Sequence, residues 1–145
     1  PLYLMAGGVV PLLRPTIDSL APTTEPERVD SYATDPGVIH YMIGGGASGG
    51  FDLFDGASVQ VTHDAGSNEH TIVTSAGAEF TAGVQFEIYG VATSPASVTE
   101  DGNALTESPN AMAFQNQDAG FMHDATRGIL TIKLPAQGTT LVISP

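Results

Sequence analysis

Apolar and polar residues alternate with a period of two along most of the chain. In VQFEIYGV (Val84–Val91), Val84, Phe86 and Ile88 share one face, while Gln85, Glu87 and Tyr89 share the other. Successive side chains of a strand point to opposite sides of a sheet, so this is the pattern of a half-buried antiparallel strand. The same alternation runs through VIHYMI (Val38–Ile43), FDLF (Phe51–Phe54), SVQVTH (Ser58–His63), HTIVTS (His70–Ser75), ILTIKL (Ile129–Leu134) and TTLVIS (Thr139–Ser144). No window free of Gly and Pro places apolar residues at i, i+3, i+4 and i+7, so almost no helix is expected. Turn chemistry separates the runs: TDPG (Thr34–Gly37), AGSN (Ala65–Asn68), EDGN (Glu100–Asn103) and DATRG (Asp124–Gly128) supply the Gly, Asn and Asp that tight turns need.

The front of the chain breaks this rhythm. LYLMAGGVVPLL (Leu2–Leu13) is almost wholly apolar. It is not a signal peptide, because its nearest basic residue, Arg14, follows the apolar run instead of preceding it. It falls well short of the roughly 20 residues of a membrane-crossing helix, and Gly7, Gly8 and Pro11 interrupt it. It reads as one or two buried strands, Leu2–Ala6 and Val9–Leu13, and a buried strand needs neighbours on both edges. The Pro-rich, acidic stretch PTIDSLAPTTEPER (Pro15–Arg28) reads as an exposed connection. About ten to thirteen short strands argue for an all-β fold: an antiparallel β-sandwich, or two small β-units.

Composition sharpens this picture in two places. There is no Cys, so disulfides and thiolate metal sites are excluded. Sixteen acidic residues face four basic ones, Arg14, Arg28, Arg127 and Lys133, for a formal charge of -12. Such a chain repels phosphate backbones and anionic lipid, which excludes nucleic acid and membrane surfaces as expected partners. The charge fits a solvated acidic surface or, alternatively, a cation site.

Several motifs tempt a chemical reading. GGGASGG (Gly44–Gly50) fits G-x-S-x-G around Ser48 and G-x-G-x-x-G through Gly44, Gly46 and Gly49. Both patterns require a helix immediately afterwards. The strand-like FDLFDG follows instead, so the stretch is expected to be a flexible hairpin connection. His63 and His70 flank the turn DAGSNE and face each other across a predicted hairpin. Two such imidazoles hold zinc only with a further ligand, for which Asp64 and Glu69 are the candidates, and no H-E-x-x-H spacing supports the site. His40 and His123 read as surface or satisfied core residues. Asp52 and Asp55 bracket FDLFDG, but an acidic chain produces such carboxylate pairs everywhere. Without Trp, and with Tyr3, Tyr32, Tyr41 and Tyr89 scattered, the signature of an aromatic sugar platform is weak. No residue is assigned to catalysis, to a cofactor or to a metal.

In combination, these segments resemble the region following the catalytic barrel in glycoside hydrolase family 31. Pro1, Ala6, Gly7, Gly8, Val9, Val10 and Pro11 match that family's "Pro, apolar strand, Ala-Gly-Gly, apolar pair, Pro" pattern. FDLFDG resembles its F-x-L-Y-D-D/G strand and turn. VQFEIYGV, SVTEDGNAL and FMHDATRGILTIKLP resemble, in order, the strands of its distal C-terminal domain. Residues 1–14 and about 51–145 follow the pattern; residues 15–50 follow it only loosely. The resemblance implies a remnant of the proximal C-terminal domain at 1–60, carrying the loop 15–28, and a distal β-sandwich domain at 61–145. It also implies an α-glucosidase or α-xylosidase type of enzyme whose catalytic barrel, with its two Asp residues, lies outside this chain. The expected role is therefore accessory: packing on or supporting that barrel. The expected partner is an upstream catalytic chain, or identical chains, engaged through the N-terminal strands, with carbohydrate as a further candidate. The alternatives are a self-assembling structural β-module and a stand-alone carbohydrate-binding β-sandwich.

Overall fold

A computed structural model describes residues 3–145, of which 42% lie in strands and 3% in helix. Eleven strands form two sheets. In chain order they are β1 (Val9–Leu13), β2 (Ile39–Gly44), β3 (Gly49–Asp52), β4 (Ser58–Asp64), β5 (Glu69–Ser75), β6 (Val84–Tyr89), β7 (Ser97–Glu100), β8 (Asn103–Ala104), β9 (Gly120–Asp124), β10 (Ile129–Leu134) and β11 (Thr140–Ser144). The first sheet runs β1-β2-β6-β10-β9 and the second β3-β4-β5-β11-β7-β8. All strand pairs are antiparallel except β2–β6, which is parallel. The fold is the expected all-β sandwich of antiparallel-rich sheets.

One core joins the two layers. Alternation places Ile39, Tyr41 and Ile43 of β2 and Val84, Phe86 and Ile88 of β6 inward, all essentially inaccessible. The parallel register sets them side by side, Ile39 to Val84, Tyr41 to Phe86 and Ile43 to Ile88. The rings of Tyr41 and Phe86 stack, with centroids 5.8 Å apart. From the second sheet, Val59, Val61, Ile72, Val98, Leu141 and Ile143 close the layer. Each such side chain contributes about 1.5–3 kcal/mol on burial.

The turns are where glycine, asparagine and aspartate predict them. Asn68 (φ 58°) closes β4–β5, Asp101 (φ 47°) and Gly102 (φ 82°) close β7–β8, and Gly128 (φ 64°) closes β9–β10. A helix of one turn, α1 (Ala111–Gln115), goes unpredicted because it is too short for a periodic signature; Asn110 caps it by accepting from the Ala113 N–H at 3.0 Å.

Three expectations need correction. Residues Tyr3–Ala6 are not a strand: the chain turns there, with the Gly8 N–H donating to the Met5 carbonyl; Leu2 lies outside the described residues. β3 starts and ends two residues earlier than FDLF suggests, because Leu53 and Gly56 enter the turn that leads to Ala57. GGGASGG is not a hairpin connection: β2 and β3 belong to different sheets, so the loop crosses the sandwich. Residue 60 falls inside β4, and strands from 1–60 and from 61–145 lie side by side in both sheets around one core.

Two consequences are measurable. The Tyr41 hydroxyl is buried without a hydrogen-bond partner, and burial, with Asp55 as a lesser cause, pushes it up to about 12. An unsatisfied buried polar group costs about 1–3 kcal/mol. Tyr41→Phe is therefore expected to leave stability equal or raised by about 1 kcal/mol; a loss of that size in thermal unfolding contradicts the geometry. The second concerns pH. Burial holds the His40 and His70 imidazoles below their ordinary range, with Glu87 opposing the shift at His40 and His63 adding to it at His70. The unfolded chain then takes up protons first as pH falls. Stability contributed by the two neutral rings is complete above the ordinary imidazole range and is lost as pH drops through it toward the lowered folded values. Urea midpoints should fall between pH 8 and 5, less steeply in His40→Gln and His70→Gln.

Candidate docking surface

Among the described residues β1 pairs with β2 alone, so it is an edge strand of the first sheet; β3 is an edge of the second and comes close to it. Pro11 sits in the middle of β1, a position that a strand tolerates only at an edge, because proline has no N–H to give. Between the two edges the sandwich is open, and apolar side chains line the opening. Leu12, Leu13, Phe51, Leu53, Phe54 and Phe80 form one groove, and Leu13, Phe54 and Phe80 continue into a second with Leu20 and Tyr32. Phe54 is 79% exposed and Leu20 68%, and Leu12 and Phe51 are also exposed. Single exposed apolar residues are ordinary; a contiguous apolar face marks an interaction site.

Local structure holds this face rigid. The Asp55 carboxylate accepts from the Ala57 N–H at 3.0 Å and the Glu79 N–H at 3.1 Å, which fixes the turn that displays Phe54. Phe80 anchors the groove floor, 6.1 Å from the Tyr32 ring. The Pro15–Arg28 connection, which carries Leu20, is fastened at its root. Arg14 bonds the Asp30 carboxylate through two nitrogens and lies 3.6 Å from Asp35, and the Thr16 hydroxyl donates to Asp30 at 2.6 Å. The hydrogen bond from Arg14, then that from Thr16, holds Asp30 below the usual carboxylate range. With Arg14 so engaged, the exposed charge beside the apolar face is acidic, from Asp18, Asp52 and Glu79.

The residues singled out for chemistry are placed differently. Ser48 has no helix behind it; its hydroxyl accepts from the His63 N–H at 2.9 Å, a loop-fastening role. His63 and His70 do face each other, with ring centroids 4.4 Å apart and planes tilted by 31°, but His70 Nε2 already accepts from the Gly46 N–H at 3.0 Å. The Asp64 carboxylate is occupied by Gly66 and Ser67, and Glu69 accepts from Ser144. Among the described residues no three His, Cys, Asp or Glu side chains converge as a metal site requires. His123 bonds the Val91 carbonyl at 2.8 Å and is thus a satisfied structural residue. Asp52 is exposed on β3, while Asp55 is used up in its turn, so the structure does not couple them. The docking face itself escaped the sequence reading. Its signal was the second aromatic of FDLFDG: Phe54 breaks the alternation that buries Leu53, which leaves it outside the sheet.

No protein-family model and no curated protein matches the chain. Solved structures do. A protein of Listeria monocytogenes EGD-e described as uncharacterized superposes with a TM-score of 0.71 at 16% identity, over 96% of this chain and 13% of its own. The cycloalternan-forming enzyme of Listeria monocytogenes, in complex with a pentasaccharide substrate, gives 0.68 at 15% identity with the same coverage. A family 31 glycoside hydrolase dextranase of Flavobacterium johnsoniae, complexed with glucose, gives 0.52 at 12% identity over 74% of this chain and 17% of its own. The chain thus has the fold of a small β-sandwich segment of family 31-type glycoside hydrolases, and it spans less than a fifth of those enzymes.

A loop-fastening Ser48 is expected to be inert. Treatment with a fluorophosphonate probe followed by peptide mapping should find no adduct there; specific labelling of Ser48 contradicts this placement.

Proposed function

We propose that this chain is the non-catalytic C-terminal β-sandwich region of a family 31 α-glycosidase, of α-glucosidase or α-xylosidase type, and that it supports a catalytic barrel carried elsewhere. The observation that carries the reading is the apolar opening between β1 and β3, with Phe54 and Leu20 standing out of it. The fold likeness to a small share of family 31-type enzymes supports it, as does the order of the motifs from Ala6-Gly7-Gly8 to the last strand. The barrel is the occupant of the opening. Its contact surface is apolar at the centre, to fill the space beside Leu12 and Phe54, and basic at the rim, to meet Asp18, Asp52 and Glu79. The chain contributes stability and position to the enzyme, and no group to the bond-breaking step.

Hydrogen exchange tests this directly. Compared with the isolated 145-residue chain, the same residues within the intact enzyme should gain protection at Leu12–Arg14 and Phe51–Phe54. Phe54→Asp should leave the isolated chain's stability within about 0.5 kcal/mol while weakening assembly by about 2 kcal/mol or more. The isolated chain should not turn over aryl α-glucosides or α-xylosides. Unchanged protection on that face, or turnover abolished by substituting an Asp of this chain, overturns the proposal.

A further inference from the structure

The glycine loop and the histidine pair, both left without a chemical role above, meet at one point. We propose that the Gly44–Gly50 loop is a pH-sensitive latch, held shut by the Gly46 N–H donating to His70 Nε2 and released when that nitrogen takes a proton. The loop carries the chain from β2 in one sheet to β3 in the other. It has few other fastenings. Gly46 (φ 83°) has open space where a side chain would stand, so no side-chain packing holds the loop at that residue. The loop's ends are held by Gly44, which bonds Gly7 and Gly8, and by Gly49 and Gly50, which pair with β4; between them the other ties are the Gly45 N–H to the Tyr89 carbonyl at 2.8 Å and the His63 N–H to the Ser48 hydroxyl at 2.9 Å. The cross-strand pair His63–His70 therefore fastens the loop at two points, one through a ring and one through backbone.

Only the ring contact responds to pH. An accepting Nε2 carries no proton, so the neutral ring keeps its proton on Nδ1. A proton added at Nε2 turns the acceptor into a donor, and two N–H groups then confront each other. The new charge has no partner. The tilted His63 ring lies against the His70 ring from β4, with centroids 4.4 Å apart, and Ile143 is the neighbour of His70 on β11. Across the cavity of about 190 Å³ that the ring borders stand Ile88 of β6 and Leu130 of β10. The carboxylates of the same hairpin, Asp64 and Glu69, are bonded to Gly66, Ser67 and Ser144, and Pro145 borders the same cavity. Burial and then His63 lower the His70 pKa, in line with this setting. The latch thus stays shut at neutral pH and opens below the ordinary imidazole range.

Release reaches beyond the loop. The Gly7 N–H donates to the Gly44 carbonyl at 2.8 Å, and Gly7 lies so close to Gly49 that a Cβ on Gly49 would collide with the Gly7 carbonyl. Acid release of the loop therefore loosens the seat of residues 5–8, where the chain enters the sandwich.

The test is a pH titration of the isotopically labelled chain by NMR. The Gly46 amide shift should inflect together with the His70 ring, and its protection factor, corrected for intrinsic exchange, should fall roughly tenfold for each pH unit below the ring's pKa. His70→Gln, whose side-chain oxygen accepts without titrating, should keep Gly46 protected at pH 5. An inflection that follows His40 or His63, equal protection at pH 7.5 and 5, or an equal acid loss in His70→Gln overturns the proposal. If His70→Gln does not fold, the wild-type inflection alone decides.

Discussion

The parallel pairing of β2 with β6 governs the rest of the structure. Parallel neighbours cannot be joined by a tight turn; the chain must leave the sheet after one strand and return to the other end for the next. Here the intervening residues do not form the usual helix. They build β3, β4 and β5, half of the second sheet, so the crossover connection is itself a layer of the sandwich. The pairing is secured by three buried pairs in register, with the Tyr41–Phe86 stack in the middle. Everything at the two ends of the molecule follows from it, because the excursion must begin in a loop narrow enough to pass over the edge of the core.

That loop explains the glycines. At Gly44 an added Cβ would meet the Met5 carbonyl, and at Gly49 the Gly7 carbonyl, so the loop and the entering chain lie backbone against backbone. The run GGGASGG imitates two catalytic signatures, yet its composition answers a spatial demand. The same geometry sets β1 against β2 alone and parts the two sheets at that corner, which exposes Leu12, Phe51 and Phe54. A proline in β1 and acidic residues around the corner make that edge unattractive to stray strands while leaving its apolar surface available.

Much of the fold was legible because alternation is a local property. The inward and outward faces of β6 could be read residue by residue, and Asn68, Gly102 and Gly128 marked the turns they occupy. What could not be read was non-local. Nothing in VQFEIYGV says that one of its neighbours is parallel, and nothing in Gly44–Gly50 says that the strands on either side lie in different sheets. Pairing partners are chosen by the whole core, which is why the sequence could not show that strands on either side of residue 60 share both sheets. At the candidate site the sequence offered polar residues, Ser48, His63, His70 and Asp55, and the structure gives each a backbone or neighbouring ring to hold. The apolar face was hidden because exposure of Phe54 depends on where β3 stops.

The placement of β11 has a consequence for synthesis. The last strand of the chain lies inside the second sheet, between β5 and β7, and not at its margin. Until Thr140–Ser144 arrives, the β3-β4-β5 and β7-β8 halves of that sheet have nothing to join them, and Leu141 and Ile143 are missing from the core. Synthesis from the N-terminal side therefore delivers the joining strand only after both of the parts that it joins. From the making of β8 until Thr140–Ser144 follows, the nascent chain carries two open sheet fragments, and β11 then acts as the slider of a zip fastener between them.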